Sequence, residues 1–357
     1  MVEPRSELSS ACLVQEPIMT CIVSDILLRM EFSSNVLSGE AIYVSQGSHQ
    51  KRVHDLDHID FVILRDLRVN CRMSYEVMSR KFGVTANAIK NRMERLQEQG
   101  IIAKFALSLS PAMLNATPFL ALAYSGSSLN DDALINSIGN HKLVSSVGFD
   151  SYGACVVIGA YRYSEELNEF GKFIRGFDLV RDCEIHPLPT HRGGKRKLST
   201  LHLKVIKSLR NDPRKSITSI AEDSGLTARR VRSILNNLIE EDVIRLTIRI
   251  NPNAGDTIWV VFRIRWDSRV TSGEVIRDKL REAFPDQFFQ EFHSAIEPLM
   301  WTDFLVEKVS ESERITHEIK SIPSARVENT ILPFPMRFFP GLADSVLDEL
   351  LEEAGLL

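Results

Sequence analysis

The chain has 357 residues, more than one hydrophobic core usually supports, so two or three domains are expected. Its 44% hydrophobic and 25% charged residues are those of a soluble globular protein, and no run of about 18 apolar residues exists to form a transmembrane helix. A formal net charge of −4 argues against a general nucleic-acid coat but leaves room for a local cationic face, and the odd, widely spaced set Cys12, Cys21, Cys71, Cys155 and Cys183 reads as free thiols, neither a disulfide framework nor a zinc site.

Residues 1–53 show little periodicity and read as an extension, either a disordered arm or residues upstream of the true start. Ile18 to Leu28 is moderately apolar but holds Asp25 and lacks a cleavage-site pattern, so a cytoplasmic protein with no membrane partner is expected. Residues 54–110 read as a winged helix-turn-helix. Leu56, Ile59, Ile63, Leu64 and Leu67 recur at helical spacing, Ser74 caps a second helix, Gly83 breaks it, and Thr85 caps a third. Ile101 to Ser108 alternates as a wing strand, and Pro111 follows. Over 111–190 the elements are a strand (Thr117 to Tyr124), a helix (Asp131 to Asn140), two strands (Leu143 to Phe149, Ala154 to Tyr161), a helix (Glu165 to Ile174) and a strand (Val180 to Leu188). That βαββαβ order is the ferredoxin-like unit, whose sheet keeps one open face.

The stretch 191–197, His191-Arg-Gly-Gly-Lys-Arg-Lys197, reads as a short flexible basic linker able to touch phosphate. After it the pattern repeats. Leu56 to Ile102 aligns without a gap on Leu198 to Ile244, an offset of 142 residues that carries Leu67 onto Leu209, Arg72 onto Arg214, Ser74 onto Ser216, Gly83 onto Gly225 and Thr85 onto Thr227. Residues 198–251 are therefore a second helix-turn-helix, ending in the strand Val243 to Ile250 before Pro252. Residues 252–336 form a second βαββαβ unit: Ile258 to Trp266, Gly273 to Phe284, Phe288 to His293, Thr302 to Val309, Glu311 to Ile322 and Ala325 to Pro333. Residues 337–357 end in an acidic amphipathic helix from Gly341. The fold class is α+β, two tandem units of winged helix-turn-helix plus ferredoxin-like domain.

The run Leu56-Asp57-x-x-Asp60-x-x-Ile63-Leu64-x-x-Leu67-x-x-Asn70-x-Arg72-x-Ser74, then Gly83-Val84-Thr85 and Ile89-x-x-Arg92-x-x-x-Leu96-x-x-x-Gly100-x-Ile102, resembles the opening of Lrp/AsnC regulators. The second copy departs from it at His202, Asp212, Ile234 and Asp242, which replace Asp60, Asn70, Arg92 and Gly100. The resemblance implies DNA binding by the winged helices and oligomerisation with effector binding by the ferredoxin-like halves. Family members pair two chains to present recognition helices about one DNA turn, ~34 Å, apart. Here one chain carries both, as an intramolecular pseudo-dimer reading an asymmetric site or as half of a homo-oligomer.

A third helix that reads duplex DNA must offer hydrogen-bonding groups to phosphates and base edges. The candidates are Thr85, Asn87, Lys90, Asn91 and Arg95 in the first copy and Thr227, Arg229, Arg230, Arg232 and Ser233 in the second. Arg92 either joins them or pairs within its domain. The three arginines open a helix, where cations oppose the macrodipole by up to about 1 kcal/mol, so a negative partner is implied. The resemblance places an amino-acid or other small effector at the turn Gly148-Phe149-Asp150, a turn absent from His293-Ser-Ala-Ile-Glu-Pro298 in the second unit. The expected protein is a sequence-specific transcription regulator, not an enzyme, with no cofactor and no metal. Two rivals stand beside it: a ligand sensor or adaptor without DNA binding, and a siroheme-decarboxylase-like enzyme using His141, His186 or His293.

Overall fold

The computed structural model describes residues 56–125, 132–250, 258–306, 308–333 and 337–357. The extension 1–53, with Cys12 and Cys21, and the stretch holding Pro252 lie outside the described residues.

Each helix-turn-helix is three capped helices. The first has α1 (His58–Val69), α2 (Tyr75–Phe82) and α3 (Ala86–Glu98). Asp57 accepts the Asp60 N–H and Asp60 accepts the Asp57 N–H, closing a capping box at the start of α1. Ser74 and Thr85 accept the N–H groups of Val77 and Ala88, and Gly83 ends α2 at φ 65°. After β1 (Ile102–Leu109) and α4 (Pro111–Leu114) comes the first βαββαβ unit: β2 (Thr117–Ser125), α5 (Asp132–Gly139), β3 (Val144–Phe149), β4 (Cys155–Tyr161), α6 (Ser164–Arg175) and β5 (Val180–Pro187). The second copy has α7 (Thr200–Leu209), α8 (Ile217–Ser224) and α9 (Ala228–Glu240), with Ser216 and Thr227 as caps and Gly225 at φ 67°. It continues with β6 (Ile244–Ile250), β7 (Ile258–Arg265), α10 (Gly273–Ala283), β8 (Phe288–His293), β9 (Leu299–Val306), α11 (Val309–Ser321), β10 (Arg326–Ile331), β11 (Arg337–Phe338) and α12 (Gly341–Glu353). Strand β9 starts three residues before the expected Thr302, because Leu299 to Trp301 already pair with Arg265 to Arg263 on β7. Among the described residues no helix is long and apolar enough to cross a membrane.

The two wing strands do not form a hairpin within each copy. β1 pairs antiparallel with β6, Phe105 opposite Ile248 and Ala106 opposite Thr247. Under the 142-residue offset Thr247 is the counterpart of Phe105 and Ile248 that of Ala106. The register is therefore the one a two-fold axis demands, and the copies are related by a pseudo-dyad through this point. The seam is buried by α1, which lies along β6, and by a single apolar core spanning both helix-turn-helix modules. Two equivalent arginines latch it. Arg72 donates to the Pro213 and Lys215 carbonyls at 2.8 Å, and Arg214 donates to the Cys71 carbonyl at 2.7 Å.

The ferredoxin-like sheets run β3-β4-β2-β5 and β8-β9-β7-β10, the same order in both units. Helices cover one face of each. The open faces meet, with Leu120, Leu122, Ile158 and Leu188 of the first packed against Leu299, Trp301 and Ile331 of the second.

The C-terminal segment breaks the pseudo-symmetry. It begins with β11, which adds to β3 as a fifth strand of the first sheet, so the first ferredoxin-like unit is completed from beyond residue 336. Phe339 fills the space above Gly139, where an added Cβ would lie 1.9 Å from the ring. Helix α12 then packs on β3, β4 and α7. Arg68 and its counterpart Arg210 accordingly find different partners. Arg68 stacks 4.5 Å over Phe289 of the second unit, whereas Arg210 pairs with Asp348 of α12.

The glycines of 191–197 serve close approach, not flexibility, which corrects the linker expectation. The Gly194 N–H donates to the Asp242 carbonyl, and a Cβ on Gly194 would sit 1.8 Å from the Glu241 carbonyl oxygen. The Gly194 carbonyl accepts from Ser110 Oγ at 2.6 Å, the Arg192 carbonyl accepts from the Ala112 N–H, and Arg196 pairs with Glu241 at 2.8 Å.

Candidate nucleic-acid interface

On α3 the side chains of Thr85, Asn87, Lys90 and Asn91 are exposed, while Ile89, Met93 and Leu96 face the core. Lys90 lies 3.5 Å from Glu94, a surface pair one turn on that is worth little in water. Arg95 does not join this face, a correction to the sequence reading. Its guanidinium donates to Asp60 at 2.6 Å, and Arg92 bonds the other Asp60 oxygen at 2.9 Å and Asp57 at 2.8 Å. The cause is the burial of Asp60: it closes the capping box from a fully buried position, where an ionised carboxylate needs cations. Burial pushes the Asp60 carboxyl above its ordinary pKa despite both arginines. Asp57, whose partial burial acts the same way, is held below its own by the Asp60 N–H and Arg92.

On α9 the side chains of Thr227, Arg229, Arg230, Arg232 and Ser233 are all exposed, and among the described residues none of the three arginines is in an ion pair. Position 202 is histidine where the first copy has Asp60, and positions 234 and 237 are isoleucine and asparagine where it has Arg92 and Arg95. The buried acid and both of its cations are thus lost together. His202 accepts the Ser199 N–H at 3.0 Å and so keeps the capping role. Its pKa is lowered by burial and then by the nearby charges of Arg196 and Arg230.

Residues 56–97 match the AsnC-type helix-turn-helix domain, and residues 198–245 match a winged helix-turn-helix DNA-binding domain. Over 127 residues the chain is 31% identical to the uncharacterized HTH-type transcriptional regulator PH0045 of Pyrococcus horikoshii, spanning 34% of this chain and 80% of that protein. The chain belongs to the Lrp/AsnC family of helix-turn-helix regulators. The HTH-type transcriptional regulator Ptr1 of Methanocaldococcus jannaschii is 42% identical over 59 residues, which is 16% of this chain and 40% of that relative. Among solved structures, the siroheme decarboxylase NirDL is similar at 12% identity and a TM-score of 0.47, covering 84% of this chain and 100% of its own. E. coli AsnC is similar at 19% identity and a TM-score of 0.30, covering 41% and 99%.

In this Lrp/AsnC chain the turn expected to bind effector is built around Asp150. Gly148 pairs opposite Val156, one step before the β3–β4 ladder ends at Phe149 opposite Cys155. Asp150 is buried, and its Oδ1 accepts the N–H groups of Tyr152 and Ala154 at 2.8 and 2.9 Å, while burial pushes its carboxyl pKa upward. Residues after β10 cover the turn: Asp150 bridges to Pro333, and the Ser151 N–H donates to the Leu332 carbonyl. The corresponding turn of the second unit carries no carboxylate at that place, and its Ala295 N–H donates to the Pro187 carbonyl. The three histidines weighed for catalysis are not brought together. His141 stacks on Phe170 and Phe173 beneath the first sheet. His186 lies between the sheets, bonded to Glu184 and Ser294 at 3.1 Å. His293 packs edge-on to Trp266.

Sequence reasoning passed over three groups. The latch Arg72/Arg214 was visible as an identity between copies, and two arginines kept at one repeat position signal a shared task. The Asp60–Arg95 pair was visible as the joint loss of both partners in copy two. Asp303 gave no signal. It lies on β9 at a cavity of about 70 Å³ between the sheets, lined by Leu120, Ile158, Trp259, Trp301 and Asp150. Its Oδ2 accepts from Gln290 at 2.5 Å, and burial pushes its carboxyl from 3.8 to about 7. A carboxyl raised on folding contributes stability that is complete below its unfolded pKa and is lost as pH rises through the folded one. Asp303→Asn is expected to exceed the parent in stability at pH 8 by at most about 4 kcal/mol, and to lose that advantage by pH 4. Urea melts across that range check it, and a pH-independent difference would count against it.

Proposed function

We propose that this regulator binds double-stranded DNA in a sequence-specific way as a single-chain dimer, presenting α3 and α9 to two unequal half-sites. The observation that carries the reading is the β1–β6 register, which relates the two helix-turn-helix modules by a dyad within one chain. Palindromic operators mirror protein two-fold symmetry, and the inequality of α3 and α9 calls for an asymmetric operator. The groups offered to the duplex are Asn87, Lys90 and Asn91 on α3, and Arg229, Arg230, Arg232 and Ser233 on α9. Thr85 and Thr227, whose hydroxyls cap the helices, sit where the backbone of DNA would run. The same reading assigns a small effector to Gly148 and Asp150, supported by the second Asp150 oxygen lying outside the hydrogen bonds of its turn.

The test is fluorescence anisotropy with a duplex from the region upstream of the protein's own gene and a scrambled duplex, at two salt concentrations, with native mass spectrometry of the complex. Selective, salt-sensitive binding of one chain per site is expected. Equal and weak binding to both duplexes would sink the reading, and a strict preference for a palindrome would count against the single-chain dimer.

A further inference from the structure

We infer that the two helix-turn-helix modules divide the binding of DNA unequally: the second, extended by the linker, grips the phosphate backbone, while the first reads bases and adds little grip. The inference rests on the DNA-binding reading above and deepens it.

Both third helices carry three cations in their first ten residues, so the sequence alone makes them equals: Lys90, Arg92 and Arg95 against Arg229, Arg230 and Arg232. The tertiary structure separates them. Arg92 and Arg95 are spent on Asp57 and Asp60, and Lys90 has Glu94 beside it. A phosphate that recruited Arg92 or Arg95 would strip a buried carboxylate of its partners, a cost that outweighs a solvent-exposed phosphate contact. On α9 all three arginines are exposed, and the position of the buried acid holds a histidine.

The linker adds to the same side. Arg196 is fixed at 2.8 Å from Glu241, the C-cap of α9, with Lys195 and Lys197 exposed on either side of it. Arg196 and Arg230 both lie close enough to His202 for their charges to act on it. Cationic groups therefore extend from the linker, past the start of α7, to the start of α9, with Glu241 as the acid beside Arg196. Such a stripe suits the regular negative charge of a DNA strand. The exposed first half of α3 instead carries Asn87 and Asn91, whose amides suit base edges.

The experiment is the dependence of log affinity on log salt, for the full chain on the upstream duplex. Each phosphate contact contributes a slope of about 0.9. The Arg229→Gln/Arg230→Gln/Arg232→Gln variant is expected to lower the slope by about two to three, Arg232→Gln alone by about one, and Lys90→Gln by less than about one. Asn87→Ala/Asn91→Ala is expected to leave the slope and cut the preference for the upstream over the scrambled duplex at least about fivefold. An unchanged slope in Arg232→Gln and in the triple variant, with binding retained, overturns the division, as does a Lys90→Gln effect equal to that of the triple. A wild-type chain that binds neither duplex fails the DNA-binding reading itself.

Discussion

Ile248→Asp is expected to cost about 4 kcal/mol or more and to disable both helix-turn-helix modules at once. Ile248 is 1% exposed and stands opposite Phe105 at the pseudo-dyad of the seam. A carboxylate there is cut off from water. Helix α1 rests on β6, the Cys71 N–H donates to the Leu246 carbonyl, and Thr247 Oγ1 donates to the Arg68 carbonyl at 2.8 Å. Displacing β6 therefore removes support from the first module as well as the second. The helix-covered cores of the two ferredoxin-like units are separate clusters, so they are expected to persist and melt in a later step. Calorimetry should show two transitions where the parent shows a shared one, with DNA binding lost. Ile248→Val, which removes only a methylene, should cost about 1 kcal/mol and leave binding intact. A single unshifted transition in Ile248→Asp would show that the seam does not hold the modules together.

The second large effect is expected from Arg92→Ala/Arg95→Ala, at about 3–5 kcal/mol by denaturant titration. Both cations on Asp60 are then gone, and the fully buried carboxylate must take up a proton or draw in water. The loss should therefore be smaller in acid, where Asp60 is protonated in the folded and unfolded states alike. Adding Asp60→Asn to the double variant removes the uncompensated charge and should recover much of the loss. No recovery would mean that the arginines stabilise α1 and α3 through packing of their stems alone. Reduced DNA affinity in the double variant would be a consequence of lost stability, not of lost contacts, because these guanidiniums face Asp60.

Much of this was legible before any coordinates. The ungapped repeat, the Ser and Thr caps, the two glycines at positive φ and the βαββαβ order are local or periodic features, and the structure carries each as read. What escaped was every feature that depends on which copy touches which. The wing strands alternate as strands should, but alternation does not name a partner, and each finds its partner in the other copy, Phe105 opposite Ile248 and Leu109 opposite Ile244. The short β11 is two residues long, below any periodic signal, and only its pairing with β3 makes it a strand. Arg95 has the sequence spacing of a DNA-facing residue and the neighbourhood of a buried acid.

Repeats, caps and helical periods are written in neighbouring residues, so two copies of a helix-turn-helix plus ferredoxin-like unit could be read from the chain alone. That the copies close on each other through one seam, that the tail straps the second unit to the first, and that the cations of α3 and α9 are not equivalent emerges only once distant parts of the chain are packed together. Those outcomes depend on burial and on charges far apart in the chain, where a buried carboxylate claims whichever arginine the fold brings within reach.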